Sequence, residues 1–205
     1  MKIISKVILI AIVFFSSAIC AQDEKFRGFE KKHYIGTQAF MVLTPLLDPS
    51  PEYFQLNYGY RYTPRDELSV ELITWRTSGP IGRPFGPDFE DEASDFPGDI
   101  KSTGIGLAYK RFLWKGLYGQ IHSTAFKQTY RNPAEETIQT GFMLFNTLRL
   151  GYHFKFFKNR LFVAPSIAVT HWPILTNMPE AFQREEDKWA NYFVGEPGLH
   201  IGFTF

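Results

Sequence analysis

Gly198-Leu199-His200-Ile201-Gly202-Phe203-Thr204-Phe205 decides how the rest of the chain is read. Leu199, Ile201, Phe203 and Phe205 share one parity, and Gly198, His200, Gly202 and Thr204 share the other. Successive side chains of a strand point to opposite faces, so this alternation describes a strand with one apolar face and one small or polar face.

Seven earlier stretches repeat the pattern. Residues 33–43 set Ile35, Ala39, Met41 and Leu43 against Tyr34, Gly36 and Gln38. Residues 53–62 alternate without a break, with Phe54, Leu56, Tyr58, Tyr60 and Tyr62 against Tyr53, Gln55, Asn57, Gly59 and Arg61. Residues 67–75 set Leu68, Val70 and Leu72 against Glu67, Ser69 and Glu71. Residues 101–113, 117–130, 140–156 and 161–171 behave alike, and the eighth run, 192–205, carries Glu196 on its polar parity. Three connections, at 63–66, 114–116 and 157–160, are short; four, at 44–52, 76–100, 131–139 and 172–191, are longer. Short turns at one end and long loops at the other predict an all-β fold, an eight-stranded antiparallel up-and-down transmembrane β-barrel over residues 33–205. Pro165 and Pro197 fall inside predicted strands of a sheet without free edges, and each is expected to mark a bulge.

The composition points the same way. Aromatics make up 17% of the 205 residues, including 21 Phe and 10 Tyr, a richness natural where rings sit at a lipid–water boundary. Mean hydropathy is slightly negative. That argues against a helical membrane protein but not against a barrel, which turns only every second strand residue to lipid. The polar parity is mostly Gly, Ala, Ser, Thr and Gln, a poor water-facing surface but a good lining for a crowded lumen, where Tyr118 and Phe162 need room. A soluble lipocalin-type barrel, which turns its polar parity to water, fits less well.

Residues 1–21 read as a signal peptide, with Lys2 and Lys6, an apolar run from Val7 to Phe15, and small residues before a cleavage site after Ala21. The run falls short of the roughly 20 apolar residues that span a bilayer as a helix. A lipid anchor on Cys20 is disfavoured by the bulky Ile19. Cleavage there removes the only cysteine and leaves 20 basic against 21 acidic residues, which suggests no nucleic-acid partner. Residues 22–32 are expected to form a mobile periplasmic tail.

The alternating final strand ending on Phe resembles that of small eight-stranded bacterial outer-membrane proteins with OmpA/OmpX-type architecture, over residues 34–205. The Ala21-Gln22 junction is similar to those common in Bacteroidota. The resemblance implies integral outer-membrane location with both termini periplasmic, contact with outer-membrane lipids and lipopolysaccharide, and reading of Phe203 and Phe205 as a signal by the barrel assembly machinery.

No stretch carries a catalytic motif. Arg61, Glu71, Lys110, Arg149 and Glu196 fall on the inward parity of five strands and are expected to pair across the lumen as a structural charge network. His122 and His200 also face inward. Outer-membrane enzymes that modify lipid A pair a His with a Ser or an acid near the outer leaflet or the loops. In His122-Ser123, however, adjacent strand residues point to opposite faces, and His171 at the outer rim has no serine at suitable spacing. Asp88, Glu90, Asp91, Glu92 and Asp95 in the second long loop are weak candidates for Ca²⁺ or Mg²⁺, since their spacing matches no defined calcium loop. The last loop mixes apolar anchors with charges, which suits either packing onto itself or a protein partner. No cofactor is implied. The expected function is non-enzymatic: a barrel with a side-chain-filled lumen that serves the envelope or holds a partner through its extracellular loops. The alternatives are an outer-leaflet lipid-modifying enzyme and a narrow conduit for a small apolar solute.

Overall fold

The computed structural model describes residues 31–43, 52–84 and 92–205; the segment read as a signal peptide and nearly all of the predicted tail lie outside them. The strands are β1 (His33–Gln38), β2 (Tyr53–Arg61), β3 (Asp66–Thr77), β4 (Asp99–Trp114), β5 (Leu117–Arg131), β6 (Thr137–Tyr152), β7 (Phe154–Phe156), β8 (Leu161–Thr176) and β9 (Tyr192–Thr204). Two short helices, α1 (Ala39–Leu43) and α2 (Glu180–Glu186), lie between strands. Each strand pairs antiparallel with its neighbours, and β6 pairs with β8 while β1 pairs with β9. β7 continues β6 after a break at His153, so the sheet closes into a ring of eight strands, as the alternation predicts. At the seam Tyr34 faces Thr204 and Ile35 faces Phe203, and the backbone N–H of Phe205 donates to the carbonyl of His33 at 2.9 Å.

The two parities separate cleanly. Leu107, Ile121, Leu148 and Val194 point outward and are 61–66% exposed, whereas the neighbouring parity of the same strands is buried or half-buried in the lumen. Rings crowd the outer face toward the short turns: Tyr60, Tyr62, Tyr152, Phe154, Phe156 and Phe205 are all exposed or half-exposed there.

Three features depart from the sequence reading. The first run ends at Gln38, not Leu43, because Ala39–Leu43 turns into α1. Five consecutive apolar residues offer no polar parity to a lumen, and the turn brings Met41 Sδ to 3.2 Å from the backbone N–H of Gln55. The seventh run does not stop at His171; β8 continues to Thr176 through a bulge in which Trp172 and Pro173 oppose Phe145, and Trp172 turns into the barrel, 2% exposed. Neither Pro165 nor Pro197 makes a bulge. They sit in unbroken register opposite Leu199 and Ile167. The Phe205 N–H bond to His33 shows that odd-numbered residues of β9 direct their N–H toward β1, so Pro197 aims its missing donor past the end of β1, whose last partner is Gln38 opposite His200. By the same parity Pro165 faces the break between β6 and β7. The β8–β9 bulge falls instead at Gly195, with φ +92°, a conformation that favours glycine.

The short-turn end of the lumen is filled by Tyr34, Phe112, Tyr118 and Phe162. Three of these rings have a glycine on a neighbouring strand beneath them: a Cβ on Gly59 would lie 1.8 Å from the Tyr34 ring, one on Gly151 2.5 Å from the Tyr118 hydroxyl, and one on Gly202 2.5 Å from the Phe162 ring. Gly59→Leu is therefore expected to destabilise the barrel by about 1–3 kcal/mol, read from urea unfolding in detergent micelles, with part of the loss recovered by adding Tyr34→Ala. An unchanged midpoint would show that the ring does not depend on that space.

Candidate functional site

The sequence-predicted inward charges do not meet as one network. They form three groups stacked along the lumen, each made between strands close in the ring. Nearest the short turns, Glu67 accepts from Arg61 Nη2 at 3.2 Å and from Lys110 Nζ at 2.8 Å. Arg61, Glu67 and Lys110 are directly opposite one another on β2, β3 and β4 and are 4%, 2% and 7% exposed. The sequence reading placed Glu67 on the inward parity but left it out of the charge set. The tight turn between β2 and β3 carried the missing signal, since it sets the register that puts Glu67 beside Arg61. The guanidinium of Arg61 also lies 4.1 Å from the Phe112 ring centroid, and Lys110 Nζ lies 5.0 Å from that of Tyr118. The gap left at this end is about 10 Å³, room for about one water molecule at most.

At mid-depth the Glu71 carboxylate accepts from Gln55 Nε2 at 2.5 Å, Asn57 Nδ2 at 3.0 Å and Thr124 Oγ1 at 3.4 Å, with His122 Nε2 at 3.3 Å. Gly106 on β4 makes room for the imidazole, since a Cβ there would stand 2.3 Å from His122 Nε2. The third group joins Arg149 on β6 to Glu196 on β9 at 2.7 Å, across the small Ala168 of β8, with Ser166 Oγ at 3.0 Å from the same guanidinium.

Above Glu71 and the Arg149–Glu196 pair the lumen opens into a chamber of about 300 Å³. Its upper walls are aromatic: Trp75 stacks on Phe126 with centroids 4.7 Å apart and meets Phe145 edge-on at 5.5 Å, with Tyr53 and Phe193 completing the ring. His200 also lines it.

The long loops pack against one another over this end. Phe182 of α2 is buried among Phe96, Ile100 and Tyr130. Trp172 Nε1 donates to Glu186 Oε1 at 2.9 Å. Gly82 is pressed so closely on Ala190 that a Cβ would reach 1.9 Å from the Ala190 carbonyl oxygen. Much of the last loop is thus engaged in self-packing. Of the weak metal candidates, Asp88, Glu90 and Asp91 and the side chain of Glu92 lie outside the described residues; Asp95 pairs with Arg83 at 2.8 Å. Among the described residues no group of three or more His, Cys, Asp or Glu is arranged to hold a metal ion.

His122 and Ser123 do point to opposite faces: Ser123 lies outside, donating to Asn146 Oδ1 at 2.7 Å. His171 occupies the same outward row, with Asn146 between it and Ser123. Phe203 and Phe205 are exposed on the outer face at the seam, their rings stacked at 6.3 Å. Comparison with family models, curated proteins and solved structures found no match to this chain.

Two expectations follow from these contacts. Glu67→Gln leaves two buried cations without their counter-ion and is expected to cost about 3–5 kcal/mol in urea unfolding, whereas an exposed acid such as Glu136→Gln changes stability by about 0.5 kcal/mol or less; equal effects would remove Glu67 from the centre of the floor. Burial pushes the Glu186 carboxyl above the usual carboxylate range, against the lowering effect of the Trp172 bond. A raised folded pKa means that its contribution is fully present below the unfolded value and is lost as pH rises through the raised one. Protease cleavage of α2 should accordingly quicken relative to an unstructured control peptide as pH rises through that window, and Glu186→Gln should flatten the difference.

Proposed function

We propose that this chain is an integral protein of a bacterial outer membrane: a lipid-spanning barrel, closed at its short-turn end, that acts without catalysis by lending structure to the envelope or holding a partner at its long loops. The observation that carries the reading is the inverted polarity of the ring. Leu107, Ile121, Leu148 and Val194 are the most exposed of a continuous apolar belt, while Arg61, Glu67, Glu71, Lys110 and Arg149 are buried within. A water-soluble monomer rarely exposes an apolar patch beyond a few hundred Å². In a bilayer the same belt faces hydrocarbon, and closure at the seam pairs the first strand with the last.

The rings clustered toward the short turns suit an interfacial girdle. Short turns are the periplasmic end of such barrels, which turns the termini inward and the loops outward. Outer-membrane lipids and lipopolysaccharide are then the belt's surroundings, Phe203 and Phe205 suit recognition by the assembly machinery, and the outer loops are where a protein partner docks. A through-conduit would need a passage where the floor leaves about 10 Å³. The adjacent His122 and Ser123 cannot act together, because the strand separates them, and the hydroxyl of Ser123 is committed to Asn146, which lies between it and His171.

Leu107→Arg distinguishes lipid from water. Near the bilayer midplane this change costs about 2–4 kcal/mol, whereas on a water-facing surface it stays within about 0.5 kcal/mol. Urea unfolding of protein refolded into phospholipid vesicles reads the difference. A cost in the water range, or failure to enter vesicles at all, sinks the proposal.

A further inference from the structure

The chamber above Glu71 is larger than side-chain packing requires, and its lining is chemically one-sided. Three acidic or basic side chains face it: the carboxyl groups of Glu71 and Glu196 and the guanidinium of Arg149. Arg149 is committed to Glu196 at 2.7 Å and to Ser166 at 3.0 Å. Only one oxygen of Glu196 takes part in that pair, and its side chain keeps 32% of its surface. Glu71 is 4% exposed and is held by the neutral amides of Gln55 and Asn57, the Thr124 hydroxyl and His122, with no lysine or arginine bonded to it among the described residues. With its two histidines neutral the chamber carries a formal charge of one negative unit. A buried carboxylate without a fixed cation is costly to desolvate. Directly above it stand the rings of Tyr53, Trp75, Phe126, Phe145 and Phe193, whose faces attract positive charge.

We propose that this chamber is a binding site for a small organic cation, a primary ammonium on an aromatic or otherwise apolar body. The ammonium sits on Glu71 and Glu196, replacing the cation that the fold does not provide, and the body fills the ring of aromatics above. The volume of about 300 Å³ lies at the lower end of ligand pockets and holds on the order of ten waters, which limits the guest to roughly a dozen non-hydrogen atoms. An anion of that size meets two carboxylates. A neutral guest leaves the Glu71 charge unmatched. The site lies inside the ring, so it stands or falls separately from the lipid-facing belt: the barrel can enter vesicles with an empty chamber, and binding is measurable in micelles.

The test is titration of the full barrel, refolded in detergent micelles, with three probes of similar size: phenethylamine, phenylacetate and 2-phenylethanol. Calorimetry, corrected for partition into empty micelles, gives the affinities. Phenethylamine is expected to bind saturably and about tenfold or more tightly than either of the others. Glu71→Gln should weaken it by about tenfold while leaving the weak binding of the alcohol unchanged. Thr147→Phe, which fills the chamber and leaves both carboxylates in place, should abolish it. Sheet circular dichroism and heat-modifiable gel migration report that each variant has folded; if Glu71→Gln does not, the three probes and Thr147→Phe still decide. Equal binding of the acid or the alcohol, unchanged affinity in either folded variant, or no saturable amine binding up to about 10 mM overturns the proposal.

Discussion

A sheet closed on itself leaves each strand residue only two directions, lumen or exterior. Everything else in this molecule depends on that closure. It is made at the β1–β9 seam, where the N–H of Phe205 and the carbonyl of His33 meet and the last free ladder is used up. Once the ladder runs round the ring, a one-residue slip anywhere would move charges to the exterior and leucines to the lumen. The two prolines at 165 and 197 are accommodated where a ladder is already interrupted. Pro165 and Pro197 aim their missing donors at the β6–β7 break and past the end of β1, and the unpaired residue of the β8–β9 bulge is a glycine.

The lumen divides into a filled lower half and an upper half that holds a chamber beside a cluster of rings, and the division follows from side-chain size. Below, rings lie over glycines and the Arg61–Glu67–Lys110 group occupies what remains, with cations resting on aromatic faces. At mid-depth the inward residues shrink to Thr124, Thr147, Ala168 and Thr170, and above them Trp75 of β3 and Phe145 of β6 meet edge-on at 5.5 Å. A ring of eight strands is just wide enough for side chains to fill, so small residues at one level leave a chamber there and not a pore.

Strand existence, face and order were legible because alternation is a local signal. Residues 53–62 and 101–113 show it with hardly an exception, and the structure follows them closely. What was not legible depended on partners far along the chain. The run from His33 looked long because Ala39, Met41 and Leu43 fit the parity, yet Phe40 and Val42 on the other parity are apolar too, and a continuous apolar stretch is ambiguous between strand and helix. β8 was cut short at His171 because Trp172-Pro173 resembles a loop opening; the bulge against Phe145 that carries the strand onward exists only when β6 is beside it. The charges pair between adjacent or next-but-one strands and not across the lumen, because register set by the short turns decides which of them meet, and that register is what puts Glu67 beside Arg61.

The order of the buried charges along the barrel has an electrical consequence. Arg61, Glu67 and Lys110 sum to one positive unit at the floor, the Glu71 group carries one negative unit at mid-depth, and Arg149 with Glu196 is neutral. The lumen is therefore polarised along its axis, with its positive pole at the short-turn end. Separated by low-dielectric walls, the two poles are weakly screened. A positive guest entering from the loops descends a favourable potential as far as Glu71 and is repelled by the floor below it. The barrel is an electrostatic cup, in which depth of entry is set by charge as well as by size.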